Sequence, residues 1–320
     1  MRLIRFVQIG PSNGTIIVNL ILNLNSVQSE FQFSFKEDID IIAYPENVNM
    51  KGPVHSTALQ SLVSQYVINK YPNEYPVGIC DCQLEDGILS SYDDKAALIT
   101  ITKDWIEAFS PYSIQSGIAY TLVDILVSLY IGTPVHDETR GCPSDYCDNE
   151  VDIRIGFSKC DFCSECRSKI LRGNSQGKIT LEQMVAIYKI LDFVAGRRIC
   201  FVLMPFHERF DRVYTNHIKP ILVNHGWECK RADEIYRTRE IINIVWEQIR
   251  RADLIIADLT GQNPNVFYEL GYSHTLGKDT ILITQSIDDA PFDLRHRQLI
   301  EYSATAQGYQ KLSEAIEGYL

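Results

Sequence analysis

The chain has 320 residues, of which 45% are hydrophobic and 22% are charged, which is the composition of a globular protein long enough for two domains. Its formal net charge of −11 argues against general nucleic-acid binding, because such binding neutralises phosphates with Lys and Arg. We therefore expect a small soluble molecule or a protein as the partner.

The N-terminal sequence, MRLIRFVQIGPSNG, lacks the long apolar core and the cleavage site of a secretory signal, which predicts a cytoplasmic protein. The most apolar long segment, residues 114–131, contains Asp124 and is short for a bilayer span. We predict that it forms a buried core helix and that the protein does not associate with a membrane. In a cytoplasmic chain, the nine cysteines are expected to be thiols or metal ligands rather than disulfides.

Residues 1–172 are predicted to form an α+β domain. Its aromatic residues Phe31, Phe33 and Phe35 alternate with polar residues, a pattern typical of a half-buried strand. The other predicted elements are a helix at 56–69, strands at 77–81 and 97–102, and the core helix at 114–131. A segment rich in cysteine closes the domain.

Two close pairs of cysteines lie in this segment. Cys142 and Cys147 form a CxxxxC pair, and Cys163 and Cys166 form a CxxC pair that is separated from the first by 15 residues. Each pair brings two thiolates to one side of a metal ion and the two pairs complete a tetrahedron, so we predict a closed, structural zinc site. Cys160 could replace one of the ligands. The alternative is a set of unrelated free thiols.

This cysteine spacing resembles that of the archaemetzincin-like peptidases, over about residues 1–170. In that family the cysteines follow a catalytic helix that carries HExxH and a third His. The corresponding stretch here, YTLVDILVSLYIGTPVHDETRGC, has no HExxH, and His136 is its only histidine. Since two His one helical turn apart and a Glu base are needed for that chemistry, the resemblance implies a degenerate peptidase fold that keeps only its structural zinc. Metalloprotease activity is not expected.

A polar stretch, RGNSQGKI at residues 172–179, ends the first domain. Thr180 and Gln183 then match a capping box, which predicts the start of a helix. We assign residues 173–195 to a linker helix, which either connects the domains or is the first packing element of the second.

Residues 196–320 alternate regularly between apolar strands and amphipathic helices. The predicted strands are 199–204, 227–230, 254–257 and 280–284, and the predicted helices are 208–225, 241–251, 263–276 and 309–319. This alternation predicts a flavodoxin-like parallel sheet with helices on both faces.

The sequence ADLIIADLTGQNPNVFYELGYSHTLGK, residues 252–278, is the strongest indication of function. Its apolar strand ends on Asp258, and the following helix carries Glu269 in its second turn. Cleavage of an N-glycosidic bond develops positive charge on the sugar, which a carboxylate can stabilise or trap covalently. Glu269 is therefore the candidate nucleophile and Asp258 the candidate acid for the leaving base. The alternatives are that Asp258 only ends the strand and caps the loop, and that Glu269 is a surface residue of the helix.

Several residues around this motif are candidates for nucleotide binding. Pro264 fits the first helical position after the N-cap Asn263, and exposed amides at this helix start could hold a phosphate or a ribose hydroxyl. Phe206 and Tyr268 could stack on a base. The full candidate set is Pro205, Phe206, Arg231, Thr260, Gly261, Asn263, Asn265 and Tyr268. Three alternatives stay open: an ordinary Arg231–Asp233 loop ion pair, a core position for Tyr268, and a purely structural cap at Asn263.

The C-terminal domain resembles the nucleoside 2-deoxyribosyltransferase-like superfamily and the related TIR-like nucleotide-binding proteins. The matching segments are FVLMPF at 201–206, RADE at 231–234, the motif above and ILITQ at 281–285. The resemblance implies that Glu269 acts on the anomeric carbon of a ribosyl group.

The best-known transferases of that superfamily carry a further Asp shortly before the Glu, where this chain has Asn263 and Asn265. The sequence thus favours hydrolysis of a nucleotide, a nucleoside or NAD over transfer between bases, in a regulated effector that could serve defence. The alternative is a nucleotide sensor without turnover. A homo-oligomer or a regulatory protein partner is left open.

Overall fold

A computed structural model describes residues 2–10, 14–34, 40–44, 53–84, 87–109, 112–132, 136, 138–146, 150–235, 241–295 and 299–320. The chain divides into two compact units, Met1–Gly196 and Arg197–Leu320, here called unit 1 and unit 2.

Unit 1 combines six strands with seven helices among its described residues. In chain order they are β1 Arg2–Ile9, α1 Gly14–Val27, β2 Phe31–Ser34, β3 Asp40–Ile42, α2 Ser56–Lys70, β4 Tyr75–Cys80, β5 Ser90–Tyr92, β6 Ala97–Thr100, α3 Lys103–Ala108, α4 Ile114–Ile131, α5 Glu150–Lys159, α6 Ser164–Ser175 and α7 Leu181–Val194.

The sheet of unit 1 has the strand order β2-β1-β4-β6-β5, and β3 also pairs with β1. All of these pairs are parallel except β5 with β6, so β5 is an antiparallel edge strand. Phe31 and Phe33 are buried and Gln32 is exposed, which confirms the predicted half-buried strand. Phe35 lies outside the described residues.

Helix α4 is the core helix of unit 1. It is the one helix in the described part of the chain that is long and apolar enough to cross a membrane, and 56% of it is buried inside the protein. Ser113 caps its start by accepting a hydrogen bond from the amide of Ser116, and Gly132 ends it with a φ of +58°. The predicted core helix is confirmed.

Helix α7 also belongs to unit 1. The capping box of Thr180 and Gln183 is present as predicted. The helix does not act as a linker, however, because side chains such as Met184, Ile187 and Leu191 are buried in the same hydrophobic cluster as α4. The chain therefore changes unit after Gly196 rather than at residue 172.

Unit 2 alternates between strands and helices. In chain order they are β7 Arg198–Leu203, α8 Glu208–Val213, a π-helical turn Tyr214–Ile218, α9 Lys219–Asn224, β8 Trp227–Arg231, α10 Ala232–Ile235, α11 Ile241–Arg251, β9 Leu254–Asp258, α12 Pro264–Thr275, β10 Asp279–Thr284, a 3-10 turn Ile287–Asp289, α13 Phe292–Arg295, β11 Leu299–Glu301 and α14 Ala306–Glu317.

The sheet of unit 2 is parallel throughout and has the order β11-β10-β9-β7-β8. Counted within the unit this is 2-1-3-4-5, the flavodoxin-like order that the sequence predicted. Alternate residues of β9 enter different clusters: Ile256 packs with α8, α9 and α14, and Ile255 with α11 and α12. Helices therefore cover both faces of the sheet. Full burial of one such Ile contributes about 1.5–3 kcal/mol to the stability of the fold.

Candidate functional site

The candidate site of unit 2 lies where β7 and β9 end side by side. Strand order reverses between these two neighbours, and open α/β sheets bind ligands in the crevice beyond such a point. The loop after β7 carries Pro205 and Phe206, and the loop after β9 carries Thr260 and Gly261. Most of the candidate residues of unit 2 therefore share one edge of the sheet.

Asp258 is fully buried at the end of β9. Its Oδ1 accepts hydrogen bonds from the amide and the hydroxyl of Thr260, at 3.0 and 2.5 Å, and its Oδ2 accepts one from the hydroxyl of Tyr302 at 2.6 Å. Burial raises the pKa of Asp258, and the hydrogen bonds from Thr260 and Tyr302 oppose the rise. Because both oxygens are occupied and enclosed, the geometry supports the structural alternative for Asp258 and not the role of an acid.

Thr260 extends this buried network. Besides donating to Asp258, its hydroxyl accepts the amide of Gln285 at 2.9 Å, and the side chain of Gln285 donates to Tyr302. The network joins the ends of β9 and β10 to the residue that follows β11. The hydroxyl of Thr260 therefore has its hydrogen-bond partners within the protein, and the contact of Thr260 with a ligand stays a prediction.

Glu269 has the opposite environment. It is half-buried in the second turn of α12, and no hydrogen bond or ion pair reaches it from the part of the chain that the structure describes. Burial alone raises the pKa of its carboxyl to about 7. A carboxyl group that is desolvated and uncompensated in this way is characteristic of catalytic positions.

Helix α12 presents Glu269 through a well-formed start. Asn263 caps the helix, its Oδ1 accepting the amides of Asn265 and Val266 at 2.9 and 3.4 Å, and Pro264 follows at the first position. Val266 and Leu270 are buried against the sheet and fix the helix rotation. Asn263 therefore has a structural role, and Asn265 is exposed.

Two exposed aromatic residues belong to the candidate set. Phe206 is 60% exposed and Tyr268 is 59% exposed, so the alternative of a core position for Tyr268 is wrong. Large exposed rings are available to stack on a base. Their contact with a ligand stays a prediction.

Arg231 ends β8 as a buried residue. Its Nε donates to Asp233 at 2.6 Å, its Nη2 donates to Asp211 at 2.7 Å, and its guanidinium lies 4.8 Å from the centre of the Tyr214 ring. The loop ion pair proposed from sequence is thus present, with Asp211 as a second partner that lies too far away in sequence to be predicted. The guanidinium group therefore makes its contacts within the protein.

The loop after β10 lies against the loop after β9. The amide of Gly261 donates to Asp289 at 2.9 Å, and the side chain of Gln262 donates to the carbonyl of Asp288 at 3.2 Å. The amide predicted to hold a phosphate is therefore occupied. Beside it, Pro264, Phe267 and the 73%-exposed Phe292 line an open cleft.

Arg209 is a candidate that the sequence analysis missed. It is exposed at the start of α8, and its Nη2 lies 3.7 Å from the position that a Cβ on Gly261 would occupy. A basic residue in a helix gives no sequence signal by itself, and only the register of the parallel strands brings it to the loop after β9. It places a positive charge at this edge of the sheet.

Unit 1 contains a second candidate site, a cluster of possible metal ligands. The donor atoms of His136, Cys142, Cys163 and Cys166 all lie within 4.8 Å of one another. Nε2 of His136 is 3.1 Å from Sγ of Cys166 and 3.3 Å from Sγ of Cys163. These spacings approach the about 3.6 Å that separates nitrogen and sulfur ligands of a tetrahedral metal, so the donor set could hold a metal ion.

Backbone hydrogen bonds hold the four ligands in place. The amide of His136 donates to the carbonyl of Ser144 at 2.9 Å, and the amide of Tyr146 donates back to His136 at 3.0 Å. Cys163 caps α6, and Cys166 lies in the first turn of that helix.

Three of the four predicted cysteine ligands are in this cluster. The fourth, Cys147, lies outside the described residues. The sequence analysis missed His136, whose only signal was its position shortly before Cys142. Cys160 does not replace a ligand, since its thiol donates to the carbonyl of Leu191 at 3.4 Å.

No family model matches the chain, and no curated protein matches it. Three solved structures show partial likeness. A 2-desoxiribosyltransferase from Leishmania mexicana is 23% identical with a TM-score of 0.26, over 28% of this chain and 65% of that one. A CMP N-glycosidase from Clostridium botulinum is 17% identical with a TM-score of 0.32, over 38% and 100%. An archaemetzincin from Archaeoglobus fulgidus is 13% identical with a TM-score of 0.31, over 53% and 99%. At these scores the likenesses assign no activity to this chain.

Proposed function

We propose that unit 2 cleaves the N-glycosidic bond of a nucleotide, a nucleoside or NAD, and that Glu269 acts on the sugar. The observation that carries this proposal is the environment of Glu269, half-buried and without a partner among the described residues at the ligand-binding edge of a flavodoxin-like sheet. The motif resemblance of residues 252–278 supports the same residue.

In the proposed reaction the ionised carboxylate of Glu269 lies beneath the anomeric carbon. The bond from that carbon to the base breaks, and its electron pair leaves with the base. Glu269 either stabilises the developing positive charge until water attacks the carbon, or forms a covalent bond to the carbon. In the second case water attacks the carbon next, and Glu269 leaves as the carboxylate. With its pKa near 7, Glu269 is partly ionised at neutral pH and can return to the carboxylate after each cycle.

The buried state of Asp258 narrows the choice of substrate. An ordinary purine or pyrimidine leaves more easily when an acid protonates it, and Asp258 offers no free oxygen for this. Nicotinamide in NAD leaves as a neutral molecule from a cationic base and needs no proton. We therefore place NAD first among the candidate substrates.

The test is release of free base from a panel of nucleosides, nucleotides and NAD, followed by chromatography. Glu269→Gln keeps the shape of the side chain and should reduce release by a factor of about 100 or more. Glu317→Gln, on the exposed end of α14, is the matched control and should leave the rate unchanged. If Glu269→Gln released base at the rate of the unaltered protein, the proposal would be wrong.

A nucleotide sensor without turnover is the second candidate. The observation that favours it is the commitment of Asp258, Thr260 and Arg231 to contacts within the protein. A sensor would be stabilised by a nucleotide, by about 2.7 kcal/mol at a ligand concentration of 100 times Kd, without releasing base. Base release by the purified protein excludes this alternative.

We further propose that the cluster in unit 1 holds a structural zinc. Three thiolates and one imidazole satisfy the four positions of a tetrahedral ion and leave none for substrate water. A metal-stabilised unit joined to a nucleotide-cleaving unit would suit a regulated effector, including one in defence.

A further inference from the structure

A cavity of about 380 Å³ lies in unit 1. It is bordered by the edge strand β5, by α4, by the loop that follows Cys142, and by Ile153 of α5. Cavities of this size hold a small molecule or one long side chain. The N-glycosidic proposal for unit 2 makes no use of it.

The acidic residue Asp145 lines this cavity and is 8% exposed. Its Oδ2 accepts the amides of Arg140, Gly141 and Cys142, at 2.8, 2.6 and 2.9 Å, which fixes the carboxylate in position. Its Oδ1 is buried and has no hydrogen-bond partner in the part of the chain that the structure describes. Because such an oxygen is costly to leave unpaired, it calls for a donor beyond the described residues.

A second carboxylate, Asp124 of α4, also lines the cavity. The hydroxyl of Tyr92 donates to its Oδ2 at 2.7 Å, and Tyr92 itself lines the cavity from β5. Tyr120 and Tyr146 complete a set of three tyrosines around the space, and the described lining contains no Lys, Arg or His. Two carboxylates and three aromatic rings without a cation form an environment that attracts positive charge.

We propose that this cavity binds an organic cation, a ligand that carries an alkylammonium or a guanidinium group. The cationic head would lie beside the carboxylates of Asp124 and Asp145 and against the tyrosine rings. Its alkyl stem would contact the apolar lining, which includes Leu89, Pro143 and Ile153. Tyrosine faces and apolar side chains offer nothing to a bare divalent metal ion, which prefers a full shell of oxygens.

Calorimetric titration of the full chain, purified in the presence of zinc, tests the proposal. The probes are 1,4-diaminobutane and agmatine, with 1,4-butanediol as the uncharged match. We expect the two cations to bind and the diol not to bind. Equal binding of the diol, binding of calcium in preference to both amines, or no binding of either amine up to millimolar concentration would overturn the proposal.

Two variants locate the binding within the cavity. Asp145→Asn keeps an oxygen for the three amides but replaces the unpaired acceptor with a donor, so amine affinity should fall about tenfold or more. Tyr146→Ala changes a residue that is 43% exposed and should lower affinity about two- to fivefold. The matched control is Asp94→Asn, which removes the same charge from an exposed position of unit 1 and should leave affinity unchanged.

Circular dichroism and metal content show whether each variant is folded. If Asp145→Asn disturbs the metal loop, Tyr146→Ala carries the test by itself. Unchanged affinity in the folded variants would place amine binding elsewhere and contradict the proposal.

The cationic group could belong to a free amine or to a basic side chain of a peptide. A short peptide with one central Lys, and the same peptide acetylated on that Lys, separate these sources. Binding of the diamine alone identifies a free amine, whereas tighter binding of the Lys peptide identifies a side chain. In the second case acetylation must abolish peptide binding, and an acetylated peptide that binds as well as the free one would contradict recognition of a cation.

Discussion

The candidate metal site of unit 1 and the sheet edge of unit 2 both hold ionisable groups away from water, but the two sites differ in the partners that these groups have. In unit 1, four donor atoms converge on one point within 4.8 Å of one another. In unit 2, Asp258 has every oxygen occupied, and Glu269 has no partner among the described residues. Buried groups that satisfy one another stabilise a fold, whereas a desolvated group without a partner keeps its reactivity for a ligand.

Among the changes that test this contrast, removal of the metal is expected to lower stability the most. Cys166→Ser should lower the unfolding free energy of unit 1 by at least about 4 kcal/mol, because a converging donor set without its ion loses its main stabilisation. Chelation should give a similar loss of thermal stability, measured by circular dichroism.

Cys160→Ser is the matched control, since that thiol bonds to Leu191 outside the cluster and its loss should cost no more than about 1 kcal/mol. Metal content after His136→Ala and after Cys147→Ser identifies the fourth ligand. Equal stability losses in Cys160→Ser and Cys166→Ser would mean that the cluster is not a metal site.

The second largest loss of stability is expected on substitution of Asp258. In Asp258→Asn, the new amide group would face either Thr260 or Tyr302, both of which donate hydrogen bonds. We expect a loss of about 2–4 kcal/mol in urea unfolding. Glu269→Gln should change the same free energy by less than about 1 kcal/mol when measured near pH 6, since it breaks no bond within the described residues. Equal losses in the two variants would remove the distinction between the carboxylates.

The sequence predicted these two sites unequally. The apolar strands and amphipathic helices of unit 2 follow from local periodicity, so the flavodoxin-like sheet and the position of Glu269 could be predicted. The hydrogen bond from Tyr302 to Asp258 joins residues 44 positions apart, and no local pattern reveals it. His136 was missed for the same reason, because its place in the cluster depends on a backbone pairing with Ser144 and Tyr146. Helix α7 was assigned to the linker because a polar stretch precedes it, although its own apolar residues pack in unit 1.

The third effect concerns pH. The pKa of Glu269 rises from 4.5 to about 7 on folding, so the folded state binds the proton more tightly than the unfolded state. The stability that this proton contributes is complete below pH 4.5 and is lost as the pH rises through 7. Because the side chain is only half-buried, we expect a decline of about 1–2 kcal/mol between pH 4.5 and pH 8, which urea unfolding of Glu269→Gln should not show.

Activity should change with pH in the opposite direction. Since the proposed reaction needs the ionised carboxylate, kcat/KM for base release should rise with pH and level off above about 7. The same ionisation therefore weakens the fold and activates the site. A rate that falls between pH 5 and pH 7 would indicate that Glu269 acts as an acid, and the assigned role would then be wrong.

The smallest loss of stability is expected on substitution of Tyr302. Tyr302→Phe removes the one donor to Oδ2 of Asp258 among the described residues and leaves both bonds to Oδ1 intact, which should cost about 1–2 kcal/mol. Tyr309→Phe is the matched control, because that ring stacks on His217, a contact that needs no hydroxyl, and its change should stay within about 0.5 kcal/mol. If Asp258 is structural, base release by folded Tyr302→Phe should match that of the unaltered protein. A large loss of activity at unchanged stability would instead connect Asp258 to the chemistry, and the two carboxylates would have to be treated as one catalytic pair.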